Sequence, residues 1–290
     1  MNILQTLLEN AQRSLSGTSE SLRIDNILVG KSIYTISGSD RIFSDMNFCH
    51  VLLEDGYGFS YFQDEIDYKV GRFVNKQIFE SVDSEMPLYL KVALVDALYS
   101  ILNRKSDARN SKSLLVGNLK QKASQRAKEL FQHIPDGSKV LLIGAVAEIA
   151  EEALRKHIRL TTLDLEPQKL GLNLHHSRVY SGHKLNYLRI KISDSDYVIA
   201  TGMIFSTGTA DEIFRISTEY GTRLILFMET GSNFGQELLA FGAELVLSEY
   251  FPYYDFYGDT KFSIFERQID PYCSSANHIS IQPVSDQDLA

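Results

Sequence analysis

The sequence predicts an α/β protein in which a smaller α+β domain precedes a Rossmann-like domain with a mostly parallel sheet. Three observations indicate this class. In the second part of the chain, short and wholly apolar runs such as 140–143 alternate with helical patterns, as a parallel sheet covered on both faces requires. In the first part, strand patterns come before helices, which is an α+β order. Between the two parts, the polar residues 105–113 offer little apolar surface to bury.

Length and composition indicate how many domains the chain can form. Its 290 residues, 44% hydrophobic and 23% charged, suffice for about two domains. We expect an α+β domain over residues 1–110, the Rossmann-like domain over 111–270 and a polar tail over 271–290.

Charge and cysteine content exclude several classes of function. Lys and Arg number 29 against 37 Asp and Glu, a formal net charge of −8, which argues against a nucleic-acid or anionic-membrane surface. Only two cysteines occur, Cys49 and Cys273, so a disulfide framework and a Cys-rich zinc site are excluded. No apolar run reaches the ~18 residues of a membrane span, and no export signal is recognisable. These features predict a cytoplasmic protein.

The elements of the first domain follow from hydrophobic spacing and turn residues. Ile3, Leu4 and Leu7 recur at helical spacing, which predicts an amphipathic first helix. Further along, Asp55-Gly56 is a hairpin signal. The expected elements are a helix over 2–15, strands over 24–36, 48–53 and 57–62, and helices over 66–80 and 87–104, the last with Pro87 in its first turn.

The second domain is expected to alternate strands with helices. The expected strands are 140–143, 160–163, 197–200, 224–228 and 245–247, and the expected helices are 114–133, 146–156, 209–219 and 234–241. Thr209 and Glu212 have the spacing of a capping box at the start of one helix. Residues 171–184 are expected to form a solvated loop.

The ligand crevice of an open parallel sheet lies beyond the carboxyl ends of its strands, where the strand order reverses. Gly144 follows the first strand as a single glycine, without the further glycines that admit a pyrophosphate. Asp164 follows the next strand, 20 residues later, at the spacing of an acid that binds a ribose. The alternative is that Asp164 caps the turn at 165–167.

Small, polar and acidic residues follow the three later strands as well. Thr209 and its neighbours could cradle an anion or polar ligand, or they could serve only as a helix cap. Because these strand ends meet at one edge of a parallel sheet, we expect their residues to share a crevice with Gly144 and Asp164. The candidate ligand-binding residues here are Thr201, Gly202, Gly208, Thr209, Thr230, Gly231 and Asn233, and the candidate metal ligands are Glu229 and Glu249.

The segment 251–257 contains five aromatic rings in seven residues. Such rings could stack on a flat ligand, and Tyr253 is the candidate for that contact. The favoured alternative is an interface with the first domain or with a second copy in a homodimer, because aromatic residues dominate buried interfaces.

Metal binding has mixed support in the sequence. His175, His176 and His183 form the one histidine cluster, but their spacing matches no structural zinc pattern, so surface histidines are expected. The carboxylates of Glu229 and Glu249 would suit Mg²⁺, Ca²⁺ or Mn²⁺ better than a soft heavy metal. No G-x-S-x-G elbow and no P-loop occurs, so no enzyme mechanism can be assembled.

Three segments carry a family resemblance: YVIATGMIFSTGTADEIF (197–214), LFMETGSNFG (226–235) and SEYFPYYDFYGDTKFSIFER (248–267). They resemble the heavy-metal chelation domain family, whose second half is Rossmann-like. The helix pattern LKVALVDALYSILNR (90–104) is similar to the helix closing that family's first domain, which resembles the N-terminal domain of enolases. The resemblance implies metal handling. Thr207 departs from the family pattern, which has Asn at that place.

Three functional hypotheses follow. The first is a small-molecule or metal-ion binding protein whose crevice at the carboxyl ends of the strands faces the N-terminal domain. The second is an enzyme that uses a nucleoside cofactor such as S-adenosylmethionine. The third is a structural dimer built on the aromatic segment.

Overall fold

The computed structural model describes residues 2–17, 22–35, 42–82, 85–103, 111–183, 185–250 and 260–267. The described helices are α1 (Ile3–Ser14), α2 (Ile78–Ser81), α3 (Leu88–Leu102), α4 (Leu119–Leu130), α5 (Ala147–Arg155), α6 (Leu185–Ser193), α7 (Met203–Ser206) and α8 (Ala210–Tyr220). The described strands are β1 (Asn26–Thr35), β2 (Ile42–Leu53), β3 (Gly56–Phe62), β4 (Ser111–Leu115), β5 (Lys139–Ile143), β6 (Arg159–Asp164), β7 (Asn173–Leu174), β8 (Ser177–Ser181), β9 (Tyr197–Thr201), β10 (Arg223–Met228), β11 (Leu245–Glu249) and β12 (Thr260–Glu266).

The fold is α/β, as predicted, with a large, mostly parallel sheet and a smaller antiparallel one. Within the described residues, the large sheet has nine strands in the order β4-β12-β11-β10-β9-β5-β6-β8-β7. Its six strands from β11 to β8 pair in parallel, whereas β12, β4 and β7 are antiparallel to their neighbours. The buried strands β5 and β9 carry continuous apolar runs, because helices cover both faces of the sheet at these positions.

The strand order reverses between β5 and β9. From β5 the chain proceeds to β6 on one side, and from β9 it proceeds to β10 on the other. The carboxyl ends of β5 and β9 therefore flank the topological switch point, where open α/β sheets bind their ligands.

The small sheet, β1-β2-β3, packs one face against α3. Cys49, Val51 and Phe62 lie on this face and are buried. Burial raises the pKa of the Cys49 thiol to about 12, so this cysteine acts as a small apolar residue. Helix α3 is apolar around most of its circumference because it contacts the small sheet, α1 and α7 at the same time.

The predicted helix over 66–80 is wrong. This segment has a 3₁₀ turn at Val70–Phe73 and the single-turn α2, with Asn75 at a positive φ of 61°. Backbone hydrogen bonds join it to the chain before β1: the N–H of Asn75 donates to the carbonyl of Ile24 at 2.8 Å. This pairing with a distant segment overrides the local helical pattern.

Further differences concern polar or short elements. The predicted helix over 114–133 begins at Leu119, after an Asn118–Gln121 capping box, and the segment SKSLL before it forms β4. The predicted loop over 171–184 contains the β7–β8 hairpin. The predicted helix over 234–241 is replaced by 3₁₀ segments, and β12 was not predicted. An edge strand such as β4 needs no continuous apolar run, which explains its polar sequence.

Several predicted features lie outside the described residues: the aromatic segment 251–257 with Tyr253, Cys273 and the tail over 271–290. None of the helices in the described part of the chain has the length and apolarity to cross a membrane.

The contact between Gly58 and α3 gives a test of this packing. A Cβ at Gly58 would lie 1.9 Å from the Ala93 carbonyl oxygen, so we expect Gly58→Ala to separate β3 from α3. The unfolding free energy in urea should fall by about 2 kcal/mol or more, since overpacking a core costs about 1–3 kcal/mol.

Gly71→Ala is the matched control, because a Cβ at Gly71 meets nothing within 4 Å. Equal stability of the Gly58→Ala and Gly71→Ala proteins would contradict the close approach of β3 to α3.

Candidate functional site

The switch point brings Gly144 and Thr201 together. Gly144 has a φ of +95°, and its N–H donates to the Leu163 carbonyl at 2.8 Å. A Cβ on Gly144 would lie 2.6 Å from Thr201 Oγ1, so only glycine fits beside this threonine. Three residues at this place are half-buried: Ile143, Gly144 and Thr201. This part of the sheet edge is therefore partly accessible to solvent.

Asp164 lies beside the same loop, but its carboxylate already accepts hydrogen bonds from backbone N–H groups. Oδ2 accepts a hydrogen bond from the Ala145 N–H at 2.6 Å, and Oδ1 accepts one from the Glu166 N–H at 2.8 Å. Lys169 Nζ lies 3.6 Å from Oδ2. These contacts match the loop-holding alternative, and a ribose hydroxyl would have to replace one of them to bind here.

Gly202 and Thr230 pack the loops after β9 and β10 against each other. The Gly202 N–H donates to the Phe227 carbonyl at 3.1 Å, and a Cβ on Gly202 would lie 2.2 Å from the Thr230 carbonyl oxygen. Both residues are buried. Gly202 therefore serves this close approach.

Thr230 and Gly231 bind β3 of the small sheet. Thr230 Oγ1 accepts a hydrogen bond from the Tyr61 N–H at 2.9 Å, and the Gly231 N–H donates to the Phe59 carbonyl at 3.3 Å. These two predicted ligand contacts are thus hydrogen-bonded to the small sheet, which they hold against the carboxyl edge of the large one.

Asn233 completes this contact with Asp96, a buried acid on α3. Asp96 Oδ1 accepts from the Asn233 N–H at 2.7 Å, and Oδ2 accepts from the Phe59 N–H at 2.9 Å and from Asn233 Nδ2 at 3.1 Å. Asp96 is not among the candidate residues predicted from the sequence. The signal that could have identified Asp96 is its position as the single acid within the apolar segment LYLKVALVDALYSIL. A charge in such a buried segment needs hydrogen-bond partners.

Gly208 and Thr209 lie elsewhere, against the first helices. A Cβ on Gly208 would lie 3.5 Å from Leu88 Cδ2 of α3. The predicted capping box at Thr209 is wrong: its φ of −97° and ψ of −5° are helical, and Oγ1 contacts Thr207 Oγ1 at 3.0 Å instead of a backbone N–H. The candidate residues between 201 and 209 therefore do not form one site, because only the first of them lie at the switch point.

The two candidate metal ligands, Glu229 and Glu249, both contact the same arginine. Arg126 of α4 donates from one terminal nitrogen to Glu229 Oε1 and from the other to Glu249 Oε2, each at 2.7 Å. Thr260 Oγ1 donates to the second Glu249 oxygen at 2.6 Å. The guanidinium carbon lies 4.3 Å from the centroid of the Phe227 ring. Arg126 is not among the candidate residues predicted from the sequence, because no local pattern distinguishes it.

The charges in this cluster make the binding of a metal ion between Glu229 and Glu249 unfavourable. Burial raises the pKa of Glu249 and Arg126 lowers it, with a net rise. The Arg126 side chain is 7% exposed and its positive charge occupies the space between the two carboxylates. Within the described ranges, no group of three His, Cys, Asp or Glu residues could hold a metal ion. His175, His176 and His183 are exposed, as predicted.

An aromatic face of the small sheet lies on the side away from α3. We define it by Phe48, His50, Phe59 and Tyr61, which the strand register places side by side. The His50 ring centroid lies 4.8 Å from that of Phe59 and 5.6 Å from that of Phe48. Burial lowers the pKa of His50 to about 4, so the imidazole is neutral near pH 7. Alternating aromatic residues in two adjacent strands were the signal for this face.

Contacts with the large sheet place this aromatic face across the switch point. Met203, just after β9, packs with Phe59 and Tyr61 in one apolar cluster. At the other side, β2 contacts the turn Pro167–Lys169, which follows β6. Because β5 lies between β9 and β6 in the sheet, we infer that the aromatic face lies over the ends of all three strands. His50, Phe59 and Tyr61 are buried there, and Phe48 is half-buried.

Comparison with known proteins supports the fold. The sequence matches no protein-family model and no curated protein. Two similar solved structures are both described as DUF364 family proteins of unknown function. The one from Desulfitobacterium hafniense has a TM-score of 0.56 at 12% identity, and the one from Pyrococcus horikoshii has a TM-score of 0.51 at 12% identity. Each comparison covers 90% of this chain and 99% of the other.

This similarity concerns the fold alone. At 12% identity it carries no site residue from one chain to another, and neither structure is described as binding a metal. Metal handling therefore gains no support from these two structures beyond the resemblance noted in the sequence.

The buried Arg126 gives a stability prediction. Arg126→Met removes the cation shared by Glu229 and Glu249, so we expect the unfolding free energy to fall by about 3–5 kcal/mol, as for a buried pair that loses one partner. Adding Glu249→Gln should restore part of this loss, because it removes one uncompensated carboxylate. Urea denaturation of the single and double variants measures both effects.

Lys139→Met is the control for the Arg126 variant, since the Lys139 and Asp194 side chains are 46% and 68% exposed and their ion pair lies at the surface. A loss in Arg126→Met no larger than that in Lys139→Met would contradict the ion-pair arrangement described above.

Asp96 gives a pH prediction. Burial raises its pKa from 3.8 to about 7, against the N–H donors of Phe59 and Asn233, which lower it. Because the folded-state pKa is the higher one, the folded protein binds a proton more tightly than the unfolded chain does. The stability contributed by this group is present below pH 3.8 and is lost as the pH rises to about 7, at up to about 1.4 kcal/mol per unit.

Urea denaturation across this pH range measures the effect, and Asp96→Asn is expected to remove that part of the slope. Identical pH profiles for the wild type and the Asp96→Asn protein would show that Asp96 does not titrate in this window.

Proposed function

We propose that this protein binds a small organic molecule in the crevice at the switch point, between the carboxyl ends of β5 and β9 and the aromatic face. The observation that carries this proposal is the position of the aromatic face across half-buried Gly144 and Thr201. A crevice with apolar walls and a few convergent polar groups is the usual form of a small-molecule site.

Two polar atoms near this crevice retain hydrogen-bonding capacity. Thr201 Oγ1 has no hydrogen-bond partner among the described residues. Glu229 is one quarter exposed, and only its Oε1 binds Arg126, so Oε2 is left as an acceptor within the described structure. Arg126 holds this carboxylate in place, and the loop after β10 brings it close to the end of β9.

These groups favour a ligand with a flat apolar part and hydrogen-bond donors. Half-buried Phe48 and Met203 would contact the flat part, while hydroxyl or amino groups would donate to Thr201 and Glu229. A divalent cation has less support, because Arg126 would repel it. S-Adenosylmethionine has a flat ring and hydroxyls and stays a candidate, although the engaged carboxylate of Asp164 gives its ribose no ready partner.

A thermal-shift titration tests the proposal with adenosine, S-adenosylmethionine, MgCl₂ and MnCl₂ as probes, alongside native mass spectrometry of the purified protein. We expect an adenosyl compound to raise the melting temperature, or a retained organic molecule to be seen. Thr201→Val and Glu229→Gln should weaken the effect about tenfold, the usual scale for one lost hydrogen bond to a charged or buried group.

Thr218→Val and Glu151→Gln serve as matched controls on exposed helix positions and should bind like the wild type. The proposal fails if no organic molecule is retained and only the metal salts shift the melting temperature. It also fails if binding is unchanged in both crevice variants.

A further inference from the structure

A cavity of about 270 Å³ lies between α1, α3 and the turn that joins α7 to α8. Its lining shares no residue with the crevice at the switch point. The cavity is therefore separate from that crevice.

The walls of this cavity combine apolar and polar side chains. Leu4 and Leu8 come from α1, Val95 comes from α3 and Phe205 comes from α7, while the polar groups belong to Asn2, Gln5, Lys91 and Asp211. Such a mixed lining favours an occupant that has both an apolar part and a polar group.

The cavity lining also contains one cationic side chain, that of Lys91 of α3. It is half-buried, and its ammonium group forms no ion pair or hydrogen bond with any other described residue. The one acidic residue of the lining, Asp211, accepts a hydrogen bond from the Ile3 N–H at 2.9 Å through Oδ1, so its charge faces the first turn of α1. Lys91 and Asp211 do not pair with each other.

We propose that this cavity binds a short aliphatic monocarboxylate, with its carboxylate on Lys91 Nζ and its hydrocarbon chain on the wall formed by Leu4, Leu8, Val95 and Phe205. The ammonium group and an anionic oxygen make a charge-assisted hydrogen bond. The size of the cavity, just below the ~300–1,000 Å³ of typical ligand pockets, limits the chain to a few carbons.

The geometry favours a carboxylate over other ligands with the same chain. An alkylamine would place its positive charge beside Lys91, and an alcohol would leave that lysine without a counter-charge. A phosphate would lack the apolar part that the wall requires. The ligand would join three elements, so its binding should stabilise the contact of α1 with α3 and α8.

The test compares sodium hexanoate with hexylamine and hexanol, which share the six-carbon chain, in thermal-shift titrations of the full chain at matched ionic strength. Millimolar hexanoate is expected to raise the melting temperature by roughly 2 °C, while hexylamine and hexanol give clearly smaller shifts. Lys91→Met should weaken hexanoate binding about tenfold, and Lys128→Met, at an exposed position of α4, should leave it unchanged.

Leu8→Trp separates binding in the cavity from binding to a surface lysine. It fills the space and keeps Lys91, so hexanoate binding should be lost. If Lys91→Met does not fold, Lys91→Gln replaces it. The proposal is overturned if the three six-carbon probes shift the melting temperature equally, if hexanoate gives no shift, or if binding survives in either the Lys91 variant or Leu8→Trp.

Discussion

The buried carboxylate of Asp96 fixes the arrangement of the two sheets. It lies on α3 and accepts hydrogen bonds from β3 and from the loop after β10, so one side chain joins three segments. Because a buried acid without such donors would be strongly unfavourable, the two sheets must meet where all of the donors are present. The position of the aromatic face across the switch point depends on this contact, and with it the proposed crevice.

The polar residues at the strand ends have mainly structural contacts. Thr230 and Asn233 hold the small sheet, Asp164 holds the loop after β5, and Glu249 binds Arg126. The sequence pattern that suggested one ligand site therefore reflects, in large part, a protein whose two sheets meet at the carboxyl edge. Among these strand-end residues, Thr201 Oγ1 and the second oxygen of Glu229 are the polar atoms that the described structure leaves without a hydrogen-bond partner.

Sequence reasoning succeeded where the signal is local. Apolar runs such as that of β5 identify buried parallel strands, and a glycine or acid after such a run marks the edge of the sheet. It failed where the decisive partner is distant: Asp96 and Asn233 are 137 residues apart, and Arg126 lies 103 residues from Glu229. The segment over 66–80 shows the same limit, because its pairing with the chain before β1 outweighs its own periodicity.

The pairing of β4 with β12 has a consequence for biosynthesis. The strand that opens the large sheet in sequence has its described partner in the strand that closes it, well over a hundred residues later. During translation, β4 leaves the ribosome before β12 and stays without this partner until Thr260–Glu266 has also been released. The polar residues of β4 lower the risk that the unpaired strand pairs with another nascent chain.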